Sequence, residues 1–152
     1  MGLFDSKPKG LNLKDLLSLL QGQFNSITFT EKSRTEDKVE ITADIVAKKY
    51  FDDGIALRVV AYKSGTCHVF MTFDKLDPSF ENYDMINTYN DHSSFLAAYI
   101  SQKNGGKYLE IHGSSMDASS VKVLSDTITY LINELLNEKL LNYLQPITKN
   151  TY

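Results

Sequence analysis

Three histidines, His68, His92 and His112, carry the chain's clearest potential for proton or metal chemistry. Imidazole is the side chain whose ordinary pKa lies nearest neutrality, so it serves as general base, proton shuttle or ligand. Their spacings of 24 and 20 residues fit no metal motif, and no cysteine or carboxylate stands in ligand register with them. They read as satisfied or solvent-facing histidines that lie far apart. Cys67 beside His68 suggests a thiolate with its base, but adjacent residues of a strand point to opposite faces. Cys67 shares its face with Val69 and Met71, which makes it a core thiol.

The paired acids Glu36-Asp37 and Asp52-Asp53 sit in turns, without the spacing of an EF-hand loop. Gly105-Gly106 belongs to a hairpin rather than to a strand-to-helix phosphate cradle. Two asparagines, Asn87 and Asn90, lie three residues apart and so share one helix face. Asparagine is a poor helix-interior residue, so each needs a reason to be there. Either they bond to the following hairpin or they contact a partner chain. No catalytic constellation, cofactor site or metal site emerges from these residues.

The elements that must position such groups come from periodicity. The chain has 152 residues, 42% hydrophobic and 23% charged, the size and make-up of one ordinary domain able to bury a core. Residues 1–10 read as a loose leader, 11–146 as a single α+β domain, and 147–152 as a tail. Gly2 with Ser6 fits the myristoylation pattern, against the plainer reading of a frayed terminus. Asn12 caps a short helix with Leu13, Leu16, Leu17 and Leu20 on one face, ended by Gly22. Four strands follow: Ser26 to Lys32, Lys38 to Lys48, Ile55 to Tyr62 and Thr66 to Phe73. Turns at Ser33 to Asp37, Asp52-Asp53-Gly54 and Lys63-Ser64-Gly65 predict an antiparallel meander.

Pro78 ends that sheet, and Ser79 caps a helix running to about Asp91. Phe95 to Gln102 and Lys107 to His112 form a hairpin about Asn104-Gly105. A last helix runs from an Asp117 cap to about Leu144, before Pro146. Its stripe Val121, Leu124, Ile128, Leu131 and Leu135 is widened by Ile132, Leu136, Leu140 and Tyr143. So wide an apolar face is more than one small sheet needs, and a second subunit would use the surplus. The element order is α-β-β-β-β-α-β-β-α, an antiparallel sheet packed by helices.

Several classes are set aside by composition. The net charge of −3, with Arg34 and Arg58 the only arginines, lacks the basic stripe of a nucleic-acid binder. One cysteine precludes an internal disulfide. No run approaches 18 consecutive apolar residues and no leader has an apolar h-region, so a cytoplasmic protein without a membrane span is expected. Nine Tyr and eight Phe, without Trp, fill a core or line a binding face.

The stretch from Tyr83 to Glu110 and on through the last helix resembles the YbjN-like family, which shares the type III secretion chaperone-like fold. The resemblance rests on Ile86-Asn87-x-x-Asn90, Phe95-Leu96-Ala97-Ala98-Tyr99, the turn at Asn104-Gly105-Gly106, Tyr108-Leu109-Glu110-Ile111 and Met116-Asp117. It covers about the last two-thirds of the chain. It implies a domain that pairs as a homodimer and binds another polypeptide rather than transforming a substrate. Four strands before Pro78, where secretion chaperones have three, are a departure. The first strands support the same kind of job. Val60 and Tyr62 share a face with Arg58, as Phe70 does with His68, so the Ile55–Phe73 hairpin is partly apolar on both faces. Val60, Tyr62, Phe70, Asn87 and Asn90 are therefore the expected partner-binding residues. The leading expectation is a non-enzymatic, chaperone- or adaptor-like protein-binding domain. The alternatives are an inhibitor or regulator of another protein, phage or bacterial, and a small enzyme with a spatially assembled His/carboxylate site.

Overall fold

The computed structural model describes residues 10–45, 55–76, 96–103, 106–116 and 118–136. The leader with Gly2, the Asp52-Asp53-Gly54 turn, the helix bearing Asn87 and Asn90, His92, Asn104-Gly105, Asp117 and everything past Leu136 lie outside the described residues.

Alternation of apolar and polar residues builds one six-stranded antiparallel sheet. Its strands are β1 (Thr30–Arg34), β2 (Lys38–Ile45), β3 (Ile55–Tyr62), β4 (Cys67–Leu76), β5 (Leu96–Lys103) and β6 (Gly106–Ser115). Their spatial order is β1-β2-β3-β4-β6-β5. The first four strands form the expected meander. Lys103 pairs with Gly106, so two residues join β5 to β6 as the hairpin signal requires. The strand that docks on β4 is β6, however, and β5 becomes the far edge. A central strand needs pairing on both sides along its length. β6 accordingly runs ten residues, past the expected end at His112 to Ser115.

The period-two pattern assigns the faces. Val39, Ile41, Leu57, Val59, Cys67, Val69, Met71, Leu109 and Ile111 are each no more than 2% exposed and form one core. Two helices cover it: α1 (Leu16–Gln21), entered through a 3-10 turn at Leu13–Asp15, and α2 (Val121–Leu135). Leu16 and Leu20 of α1 join Leu124, Ile128, Leu131, Ile132 and Leu135 of α2 in that core. The chain is thus an α+β domain with its two described helices on one face of the sheet. None of the described helices is long and apolar enough to cross a membrane.

One local expectation holds and two shift. Asn12 does cap the first turn, accepting from the Lys14 N–H at 3.0 Å. The cap of α2 is Ser120, whose hydroxyl accepts from the Val123 N–H at 3.1 Å; it lies three positions on from the expected cap. The first strand begins at Thr30 rather than Ser26, although Ile27 and Phe29 are buried. Their backbone is satisfied by a side chain instead of a ladder. The Gln21 amide donates to the carbonyls of Phe24 (3.1 Å) and Ile27 (2.7 Å) and accepts from the Phe29 N–H (2.9 Å). Gln21→Ala would strip three half-buried backbone groups of their partner at once. It is expected to cost about 2 kcal/mol, read as a lower urea midpoint at unchanged slope, whereas Gln23→Ala next door should be near neutral.

The surplus apolar surface expected of the last helix is not found on its described turns. Its stripe is spent inside the protomer, and what remains outside is Val123 (43% exposed) and Tyr130 (51%).

Candidate functional site

The sheet's other face carries the chemistry. Register rows run across it. Thr42 of β2 pairs with Arg58, Arg58 with Phe70, Phe70 with His112 and His112 with Ala97 of β5. One row over, Glu40 pairs with Val60, Val60 with His68 and His68 with Ser114. Cross-strand partners on one face stand close enough for side chains to touch.

In the first row they form a stack. The Arg58 guanidinium lies 4.2 Å from the Phe70 ring centroid. On the opposite side, Phe70 and His112 are parallel within 8° at 4.5 Å. Arg58 is steered there by Glu40, which it meets at 3.3 Å, while Lys32 takes the same carboxylate at 3.6 Å. Such exposed cation–π contacts are each worth about 0.5–1 kcal/mol, enough to order the arginine rather than to hold the fold. Because the stack runs across the strands, the far side of the His112 ring looks along the row to Ala97, a small exposed residue. Tyr62 meets His68 edge-on at 6.0 Å.

His68 and His112 are therefore not far apart, which corrects the expectation from spacing. Nδ1 of His68 and Nε2 of His112 are 2.9 Å apart. Antiparallel pairing of β4 with β6 brings together residues 44 positions apart in sequence. Burial, with the charges of His68 and then Arg58, holds His112 below the ordinary imidazole pKa, partly opposed by the Glu110 carboxylate. Glu110 itself is 5% exposed and accepts from the Thr72 hydroxyl at 2.7 Å. Cys67 points the other way, as strand alternation demands, and burial pushes its thiol up to about 11. A thiol so raised stays protonated at neutral pH, the form that is a poor nucleophile. Among the described residues no group of three or more His, Cys, Asp or Glu side chains is arranged to hold a metal ion.

No family model, curated protein or solved structure matches this chain.

Of the expected partner-binding residues, Tyr62 and Phe70 lie half-buried on this face. Val60 lies there too, but at 5% exposure it is not free surface. Arg58, His112, Glu40 and Ala97 were missed. For His112 the signal was the alternation of Glu110 and His112 against Leu109 and Ile111, which marks a second polar face on β6. Only the pairing of β6 with β4 turns that alternation into a site.

The two sheet edges differ in kind. β1 is short, carries Glu31, Lys32 and Arg34, and has a register shift between Glu31 and Ser33. Charge and bulging are the usual protections of an edge. β5 has eight residues, an unbroken register with β6 and no charge before Lys103. Among the described residues no strand pairs with its outer side.

Proposed function

We propose that this chain is a non-enzymatic protein-binding domain, chaperone- or adaptor-like, that holds a partner polypeptide on its outer sheet face and pairs as a homodimer. The observation that carries this reading is the half-buried row Arg58–Phe70–His112, set on the face away from both described helices and ending at the open Ala97. Its rings are ordered by one another rather than aimed into a cleft, which suits recognition of a broad apolar surface. The β5 edge beside it, uncharged before Lys103, supports the same reading. An extended segment added there gains main-chain hydrogen bonds, and its alternate side chains fall next to Ala97.

The test is capture by the tagged chain in its native host, run in parallel with a Tyr62→Ser/Ala97→Arg variant that leaves the core untouched. A stoichiometric partner retained by the parent and lost by the variant is expected, with light scattering reporting a dimer. Equal retention by both would move the binding site elsewhere. A strict monomer at high micromolar concentration would sink the homodimer.

A further inference from the structure

The ladder staggers His68 and His112 by one row, since His68 pairs with Ser114 while His112 pairs with Phe70. Their ring centroids are 5.1 Å apart while the facing nitrogens are at 2.9 Å, so the rings meet edge to edge. A contact this short needs one nitrogen bearing hydrogen and one bare. The neutral pair meets that condition. So does a pair with one added proton, whose hydrogen bond is charge-assisted. A second added proton turns two N–H groups on each other and sets two cations side by side.

Phe70 sharpens the conflict. Its ring already carries the Arg58 cation on one side and stacks on His112 at the other. A cationic His112 would set a second positive charge across that ring from Arg58, and the repulsion between the two cations opposes the ring's attraction for each. We propose that His68 and His112 form a proton-operated clasp across β4 and β6, closed with none or one added proton and opened by the second, which parts His112 from His68 and from Phe70.

The surrounding charges decide how readily it opens. On β6, Glu110 favours the cation, and its own acceptor role toward Thr72 of β4 is already in place. On β3, Arg58 opposes it, and Tyr62 presents a ring edge to His68. On β2, Glu40 is engaged by Arg58 and by Lys32 of β1, so its charge is largely spent. On β5, Ala97 brings no charge. The balance leaves His112 reluctant to take a proton, in keeping with its lowered pKa. A histidine depressed in the folded state contributes stability that is complete above the unfolded imidazole value of about 6.5. That contribution is lost as pH falls through the lower folded value.

The clasp belongs to the protein alone, so it can be tested without any partner and its failure is separable from failure of the binding role. The His68 and His112 imidazole resonances of the full chain, assigned apart from those of His92 and followed by NMR from pH 8 to 4.5, should show two unequal proton uptakes. The Phe70 ring signals should move only with the second. In His68→Gln the His112 midpoint should rise, because a neighbouring cation is gone, and the acid loss of thermal stability should shrink. Two independent uptakes unchanged by His68→Gln, or Phe70 signals indifferent to the second proton, would overturn the clasp. The parent titration needs no variant, so a poorly folding substitution leaves it decided.

Discussion

Gly65→Ala is expected to lower stability by about 3 kcal/mol, of which roughly 1–3 is strain of the backbone conformation alone. For a domain of this size the fall in Tm would be about 6–12 °C, measurable by calorimetry. Gly65 closes the tight turn from β3 to β4, with its N–H bonded to the Tyr62 carbonyl at 3.0 Å and φ at +98°. An L side chain rarely adopts that φ. A Cβ there would also stand 2.6 Å from the carbonyl oxygen and 2.9 Å from the nitrogen of Ala118. Those are backbone atoms, which cannot step aside as a side chain does, and the Ala118 N–H donates to the Gly65 carbonyl at 3.2 Å. The turn is thereby fastened to the segment that delivers α2 to the core. A methyl group at Gly65 would push the hairpin bearing His68 and Phe70 away from that segment. Gly22, whose Cβ position meets nothing closer than 3.5 Å, is the control, and Gly22→Ala should be near neutral.

Ile128→Ala should cost about 2–5 kcal/mol, the range for emptying a sealed core site of a large aliphatic side chain. Ile128 is fully buried in the middle of α2, within the cluster formed by both helices and the sheet. The removed methyl groups would leave a void that neighbours on three elements cannot jointly fill. On the same helix, Tyr130→Ala removes more atoms but from a half-exposed ring, and should change stability by less than about 1 kcal/mol. Chemical denaturation of the two variants side by side checks the pattern. A comparable loss in both would mean that Tyr130 is covered by a further surface.

The contrast between those two positions also shows how much of this fold is written locally. Leu124, Ile128, Leu131 and Leu135 recur at helical spacing, and that spacing alone aims them at one surface. Cys67, Val69 and Met71 alternate with His68, Phe70 and Thr72, so the pleat separates core from chemistry before any partner strand is known. The glycine turn at Gly65 is equally local, because it depends on the φ range of a few adjacent residues. The first strand was misplaced because its apolar alternation at Ile27 and Phe29 is real. The hydrogen bonds that replace the ladder come from Gln21, a helix residue six and eight positions upstream.

From sequence alone came the α+β class, the meander, the core face of each strand and the place of Cys67 in the core. All of these follow from side-chain periods of two and 3.6 residues. The tertiary structure alone decided that β6 rather than β5 lies against β4. Either order satisfies the same alternation, and the choice rests on which strand can be sealed on both edges. That one decision unites Phe70, His112 and His68 across a separation of 44 residues and leaves β5 at the rim.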